Sequence, residues 1–271
     1  MTALYADDGV RLDYTETGDP NGRPVVLLAG FKAPATTWRY QVGPLAEAGY
    51  RVLAIDLRGH GEAERPESGV DMARRGRDLH NVLTTLDLTG AVLMGGNTIW
   101  SYLDQFDPYR VAAAVIVDQT PKMLNTPDWP HGFYGYHQGN IDSYFATSIP
   151  ETGKGTPWWR RGMRLVRLLT VMGGGDRTLS PGELALLDDH AKADWRPTIA
   201  ACDLPALFVA GADSEFWPSS HAPAAAGYAA NGEAAIIRND GHATNIEQPH
   251  VFNTGLLTFL SRAAPASANP R

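Results

Sequence analysis

Ala91-Val92-Leu93-Met94-Gly95-Gly96-Asn97-Thr98-Ile99-Trp100-Ser101-Tyr102 is the stretch around which this chain is organised. A short apolar run meets a glycine pair and passes into a helix-like segment. The glycine pair permits a sharp turn that side chains would block. The stretch therefore reads as strand Ala91–Met94, turn, and helix Thr98–Phe106.

Working outward, the same alternation repeats. Pro24–Ala29 and Val111–Val117 are continuous apolar runs, the pattern of a strand buried on both faces. Tyr50–Ile55, Leu204–Ala210 and Ala234–Ile237 read as further strands. Gly9–Thr17 alternates Val10, Leu12 and Tyr14 as an amphipathic strand. Thr37–Leu45, Met72–Leu86 and Val251–Arg262 suit helices, the second with Leu79, Val82, Leu83 and Leu86 on one face. Strands that alternate with helices predict an α/β fold, a mostly parallel central sheet with helices on both faces. Ligands of such sheets sit at the C-terminal ends of the strands.

The alternation breaks at Lys122. From there to Thr198 no buried strand is legible, only helix candidates (Asp142–Thr147, Trp158–Met172, Pro181–Ala193) and many aromatics. This predicts a core of residues 1–121 and 199–262 interrupted by an inserted helical cap, 122–198. The Ala/Pro/Ser-rich tail 263–271 is expected to be disordered.

With 271 residues the chain can form one large α/β domain with a lid. A net charge of −7 argues against nucleic acid and anionic membranes as partners. Cys202 is the single cysteine, which excludes an internal disulfide and a cysteine metal site and points to the cytoplasm. The N-terminus lacks a basic head and apolar core, and no apolar run is long enough to span a bilayer.

Several segments coincide with one family. Leu27-Leu28-Ala29-Gly30-Phe31 resembles the oxyanion loop of α/β-hydrolases. Asp56-Leu57-Arg58-Gly59-His60-Gly61 resembles their D-x-R-G-H-G turn. Ala210–Pro218 resembles the strand end that carries their acid, and Asn239-Asp240-Gly241-His242 their turn with the base. Val117-Asp118-Gln119-Thr120-Pro121 is similar to the esterase and non-haem haloperoxidase branch. The chain is identified as a member of the α/β-hydrolase superfamily on these motifs, which stand in the family's order.

The resemblance implies a serine-hydrolase site: a nucleophile on a strained elbow, G-x-S-x-G, a base touching it, an acid orienting the base, and two backbone oxyanion donors. His242 fits the base. Asp213 fits the acid, with Glu215 and Asp118 as further choices. Phe31 and Met94 are the expected oxyanion donors, and His60 belongs to turn structure. No metal and no cofactor is implied.

The elbow serine is missing. Counted without a gap, Gly95-Gly96-Asn97 falls over G-x-S, and the Asn97 amide cannot be deprotonated to attack a carbonyl. Counted back from the helix, a piece of the form M-G-x-S has dropped out before Met94. The second register keeps the longer match. Ser101 lies inside the helix, Cys202 precedes its strand at the wrong end of the sheet, and Ser214 neighbours the acid, so none replaces the nucleophile.

The insert is rich in aromatics: Trp129, Phe133, Tyr134, Tyr136, Tyr144, Phe145, Trp158 and Trp159. Of these Trp129, Phe133, Tyr134 and Trp158 are expected to line an apolar substrate pocket facing Phe31 and His242. Arg160, Arg161, Arg164 and Arg167 are expected to form a solvated face. The implied reaction is hydrolysis of a carboxylic ester on an apolar or aromatic small molecule, with activity weak or absent without the serine. A non-hydrolytic binder and a cofactor-free enzyme using His242 as general base are the alternatives. The expected partner is a small-molecule substrate, with a homo-oligomer left open.

Overall fold

The computed structural model describes residues 1–172 and 178–266. Eight strands form one sheet in the order β1-β2-β4-β3-β5-β6-β7-β8. They are β1 (Thr2–Tyr5), β2 (Arg11–Gly18), β3 (Pro24–Leu28), β4 (Arg51–Asp56), β5 (Ala91–Gly95), β6 (Val111–Val117), β7 (Ala206–Gly211) and β8 (Gly232–Ile237). β1, β2 and β4 pair antiparallel, and every later pairing is parallel. The N-terminal β1 was not anticipated, because Thr2–Tyr5 is an edge strand with little burial to pattern it.

The helices are α1 (Arg39–Glu47), α2 (Met72–Thr85), α3 (Thr98–Gln105), α4 (Met163–Met172), α5 (Pro181–Lys192), α6 (Arg196–Ala200), α7 (His221–Ala226), α8 (Thr244–Glu247) and α9 (Pro249–Ala263). β3 shows why the sheet needs cover on both sides. Val26 and Leu28 enter a core with α2 and α3, while Val25 and Leu27 enter the opposite core with α1 and α9. Alternate residues of a strand point to opposite faces, so an all-apolar strand must be covered twice.

The D-x-R-G-H-G turn after β4 is structural. Buried Asp56 accepts from the Ala35 and Glu62 N–H groups at 2.6 and 3.1 Å. Buried Arg58 pairs with Asp78 of α2 at 2.5 Å and with Asp8 at 2.8 Å.

Between β6 and α6 the described residues contain no strand, only isolated bridges. Asp142–Thr147 is a run of turns, not a helix, since six residues are too few for a helix to propagate without support. Trp158–Arg160 is a single 3-10 turn ahead of α4. The start of the expected tail is ordered: Tyr50 and Arg23 donate to the carbonyls of Ala264 and Pro265 at 3.0 and 2.8 Å. The rest of that tail, 267–271, lies outside the described residues. No helix among the described residues is long and apolar enough to cross a membrane.

Candidate active site

The loops that follow β3, β5, β6, β7 and β8 meet at the C-terminal edge of the sheet. β6 delivers Asp118, fully buried, with φ of +39°. Asp adopts this left-handed backbone at lower cost than most residues, and such an outlier points to a functional position. The loop after β8 delivers His242. It is held down by Glu215, whose Oε2 accepts the His242 N–H at 2.8 Å. The ends of β7 and this loop touch backbone to backbone. A Cβ on Gly211 would stand 2.0 Å from the Gly241 carbonyl, so glycine is required there.

His242 Nδ1 lies 2.8 Å from Asp118 Oδ2. The same carboxylate accepts the Gly211 N–H at 2.9 Å and the Ser214 hydroxyl at 2.6 Å, and faces His221 Nε2 at 3.4 Å. Burial pushes the Asp118 carboxyl up, but the hydrogen bonds from His221 and His242 outweigh it and hold the pKa at about 2. Burial likewise pushes His242 down. Its bond to Asp118, with the charges of Asp118, Glu215 and Glu247, overrides this and raises it above an ordinary imidazole. A carboxylate at Nδ1 selects the tautomer with the proton there, leaving Nε2 to accept. The ring is 37% exposed, so Nε2 is within reach of solvent.

Asp213 is therefore not the residue that orients His242. Its N–H donates to the Asp240 carbonyl at 2.8 Å, which turns the chain away. Its carboxylate accepts the Thr156 hydroxyl at 3.1 Å. The neighbouring strand delivers an acid to the same place first. Glu215, the second choice, grips the backbone of the histidine loop and pairs with Arg161.

The end of β5 carries no nucleophile. Met94 is an interior residue of β5, in register with Leu27 on one side and Val115 on the other. Its N–H belongs to the sheet ladder, which corrects its assignment as an oxyanion donor. Asn97 holds the turn with φ −66° and ψ −7°, helical rather than strained. Its amide is buried, donates to the Thr120 carbonyl at 2.9 Å and lies 3.2 Å from His190 Nε2. Among the described residues no non-glycine residue of 91–98 has a positive φ. Nearby hydroxyls are engaged: Ser101 donates to the Met72 carbonyl at 2.5 Å, and Thr98 accepts from Arg75 at 2.9 Å. Phe31 sits in a tight turn in which the Ala33 N–H donates to the Gly30 carbonyl at 3.1 Å.

The aromatics of the insert are dispersed. Trp129 is buried in the sheet-side core, its indole N–H donating to the Lys122 carbonyl at 3.0 Å, so it does not line a pocket. Phe133 is fully buried in a cluster with Tyr136, Phe145 and Trp217. It acts on the site only indirectly, stacking on Phe216 at 5.5 Å, whose ring in turn lies 4.6 Å from His242. Tyr134 lines two shallow cavities, of about 350 and 330 Å³, neither of which is lined by Phe31 or His242. Trp158 projects into solvent. Of the four aromatics expected to line an apolar pocket, Phe133 instead belongs to a packed aromatic cluster beside His242. Its residues interdigitate because large rings gain more from each other than from water.

Ser214 was legible only as a neighbour of the expected acid and His221 not at all, since neither contact to Asp118 leaves a local pattern in the sequence. Sequence reasoning ranked Asp118 third, although an acid closing an all-apolar strand at the ligand-binding edge is a signal in itself.

The comparisons with known proteins agree with this architecture. The family model described as alpha/beta hydrolase fold matches residues 23–165. The chain belongs to the α/β-hydrolase fold family. It is similar to the non-heme chloroperoxidase of Streptomyces lividans, at 27% identity over 96% of this chain and 99% of that protein. In three dimensions it resembles a bromoperoxidase from Bacillus anthracis, with a TM-score of 0.77 at 22% identity over 96% of this chain and all (100%) of the other. It also resembles an esterase from Exiguobacterium antarcticum, with a TM-score of 0.79 at 19% identity over 96% and 99% of the two chains.

Proposed function

We propose that this protein acts on carboxylic esters of small molecules by general-base catalysis, without an acyl-enzyme. The observation that carries the reading is the 2.8 Å His242–Asp118 bond beside a β5 end that offers Asn97 where a nucleophile is needed. In this reading His242 Nε2 takes a proton from water as the water attacks the ester carbonyl, and Asp118 stabilises the imidazolium. The same proton passes to the leaving alkoxide as the tetrahedral intermediate collapses and the ester C–O bond breaks, giving acid and alcohol. Phe31 N–H supplies one oxyanion donor. The second donor is lost with the elbow, so turnover is slow. Removal of one triad member leaves roughly 10³–10⁴-fold acceleration over water in a serine protease, and a site that also lacks a donor falls below that.

The esterase among the structural relatives supports an ester substrate. Residues 122–198 act as the cap, and the single cysteine favours a cytoplasmic site of action. Hydrolysis of an aryl acetate by the purified protein and by His242→Ala tests the proposal. Slow, linear turnover without a burst, abolished in the variant, is expected. No turnover above the variant would leave a ligand binder instead.

A further inference from the structure

Helix α4 is amphipathic, but it is turned inside out. Its arginines Arg164 and Arg167, and Arg161 in the turn just before it, do not face solvent as their spacing predicts. Arg161 reaches the Glu215 carboxylate, Arg164 lies 3.4 Å from Glu247 and donates to the Asn239 carbonyl at 2.5 Å, and Arg167 donates to the Glu247 carbonyl at 2.7 Å. The side left to solvent is apolar. Trp158, Trp159, Met163, Val166 and Leu169 are 66, 69, 63, 51 and 62% exposed. Met163, Val166 and Leu169 recur every three residues and so share one face of α4. The preceding turn adds the two tryptophans.

From these fractions the patch exposes on the order of 600 Å² of apolar side chain, at the top of what a monomer's largest patch presents. A standard interface buries about 800 Å² per partner, with Trp and Met enriched at its centre and charge depleted there. Arg160 is the one charged residue exposed in the run Pro157–Met172 whose side chains are described. A membrane-surface helix needs its Lys and Arg free to reach headgroups. Here three of the four arginines are committed to the protein's own carboxylates and carbonyls. A chain of net charge −7 is also repelled by anionic lipid.

We propose that this face is a homodimer interface and that its occupant is a second copy of the same chain. A two-fold contact places the same patch on both sides, so tryptophans of one copy pack on Met163, Val166 and Leu169 of the other. No opposing charges need to match across it.

Sedimentation equilibrium of the full chain over a range of concentrations tests this, with Leu169→Glu and Trp159→Glu as variants. Both positions face solvent in the monomer, and circular dichroism checks that both variants remain folded. A dimer is expected for the parent chain. Each variant should weaken it roughly 30-fold or more, as loss of an interface hot spot does. Acrylamide quenching of the parent's tryptophans should fall as concentration rises, and it should not change in the variants. A parent chain that is monomeric throughout overturns the proposal, and so does a dimer indifferent to both variants. Flotation of a monomeric parent with phosphatidylcholine vesicles, lost in Leu169→Glu, would assign the face to lipid and equally overturn it.

Discussion

Replacing Asp118 by Asn separates the two carboxylates that compete for the role beside His242. In the native site Asp118 accepts from four groups: Gly211 at 2.9 Å, Ser214 at 2.6 Å, His242 at 2.8 Å and His221 at 3.4 Å. The amide oxygen of Asn can keep Gly211, and Ser214 can reverse its hydroxyl. The new NH2 then meets the His242 Nδ1–H donor to donor. One charge-assisted hydrogen bond is lost, worth about 1.5–3 kcal/mol. For a chain of this size that lowers Tm by roughly 3–12 °C. The His242 pKa should fall, because Asp118 opposes the burial that pushes it down. Asp213→Asn should do neither. Its bond to Thr156 survives on the amide oxygen, and changes of this kind stay within about 0.5 kcal/mol. Thermal unfolding, with NMR titration of the His242 ring, reads both effects. A His242 titration that moves in Asp213→Asn and not in Asp118→Asn would refute the assignment.

Other outcomes follow from the same geometry. Asn97→Ser should not produce a serine esterase, because the residue sits in helical backbone with its side chain buried, whereas an insertion of the form M-G-x-S before Met94 should raise aryl acetate turnover. The residual rate should rise with pH through an inflection above the ordinary imidazole value of 6.5, since His242 is a base only when neutral and its pKa is raised; a flat profile from pH 5 to 9 would exclude it. Buried Asp240 has no hydrogen-bond partner on either oxygen, and burial together with Glu247 pushes its pKa up to about 9. The folded state therefore keeps a proton that the unfolded chain releases near pH 4, so stability falls as pH rises from about 4 to 9. Asp240→Asn should flatten that decline in Tm, and an unchanged slope would mean that Asp240 is not the group.

The fold was legible because burial writes directly into sequence. Val111–Val117 is apolar at every position because both faces are covered, and the strand lies where that run predicts. The position of His242 was legible for a related reason: Asn239-Asp240-Gly241-His242 directly follows the last strand, and the structure places the His242 ring 2.8 Å from a buried carboxylate there. The acid was not, because Asp118 and Asp213 both end strands and only the turn of the chain decides which one faces the histidine. Nor could periodicity tell which side of α4 faces outward. It identifies two faces, and the inward arginines are chosen by Glu215 and Glu247, residues distant in sequence. The aromatics of the insert were visible as a composition, but whether a ring lines a cavity or fills one is settled by packing.

Intact-mass spectrometry after incubation with a fluorophosphonate decides whether the protein uses a serine nucleophile. This reagent forms a stable covalent adduct with the activated serine of an acyl-enzyme mechanism. Expected are an unmodified mass for the native chain, alongside slow ester turnover that depends on His242, and labelling only once M-G-x-S has been inserted before Met94. Stoichiometric labelling of the native chain, lost in His242→Ala, would show that a serine elsewhere serves as nucleophile and would contradict general-base catalysis without an acyl-enzyme.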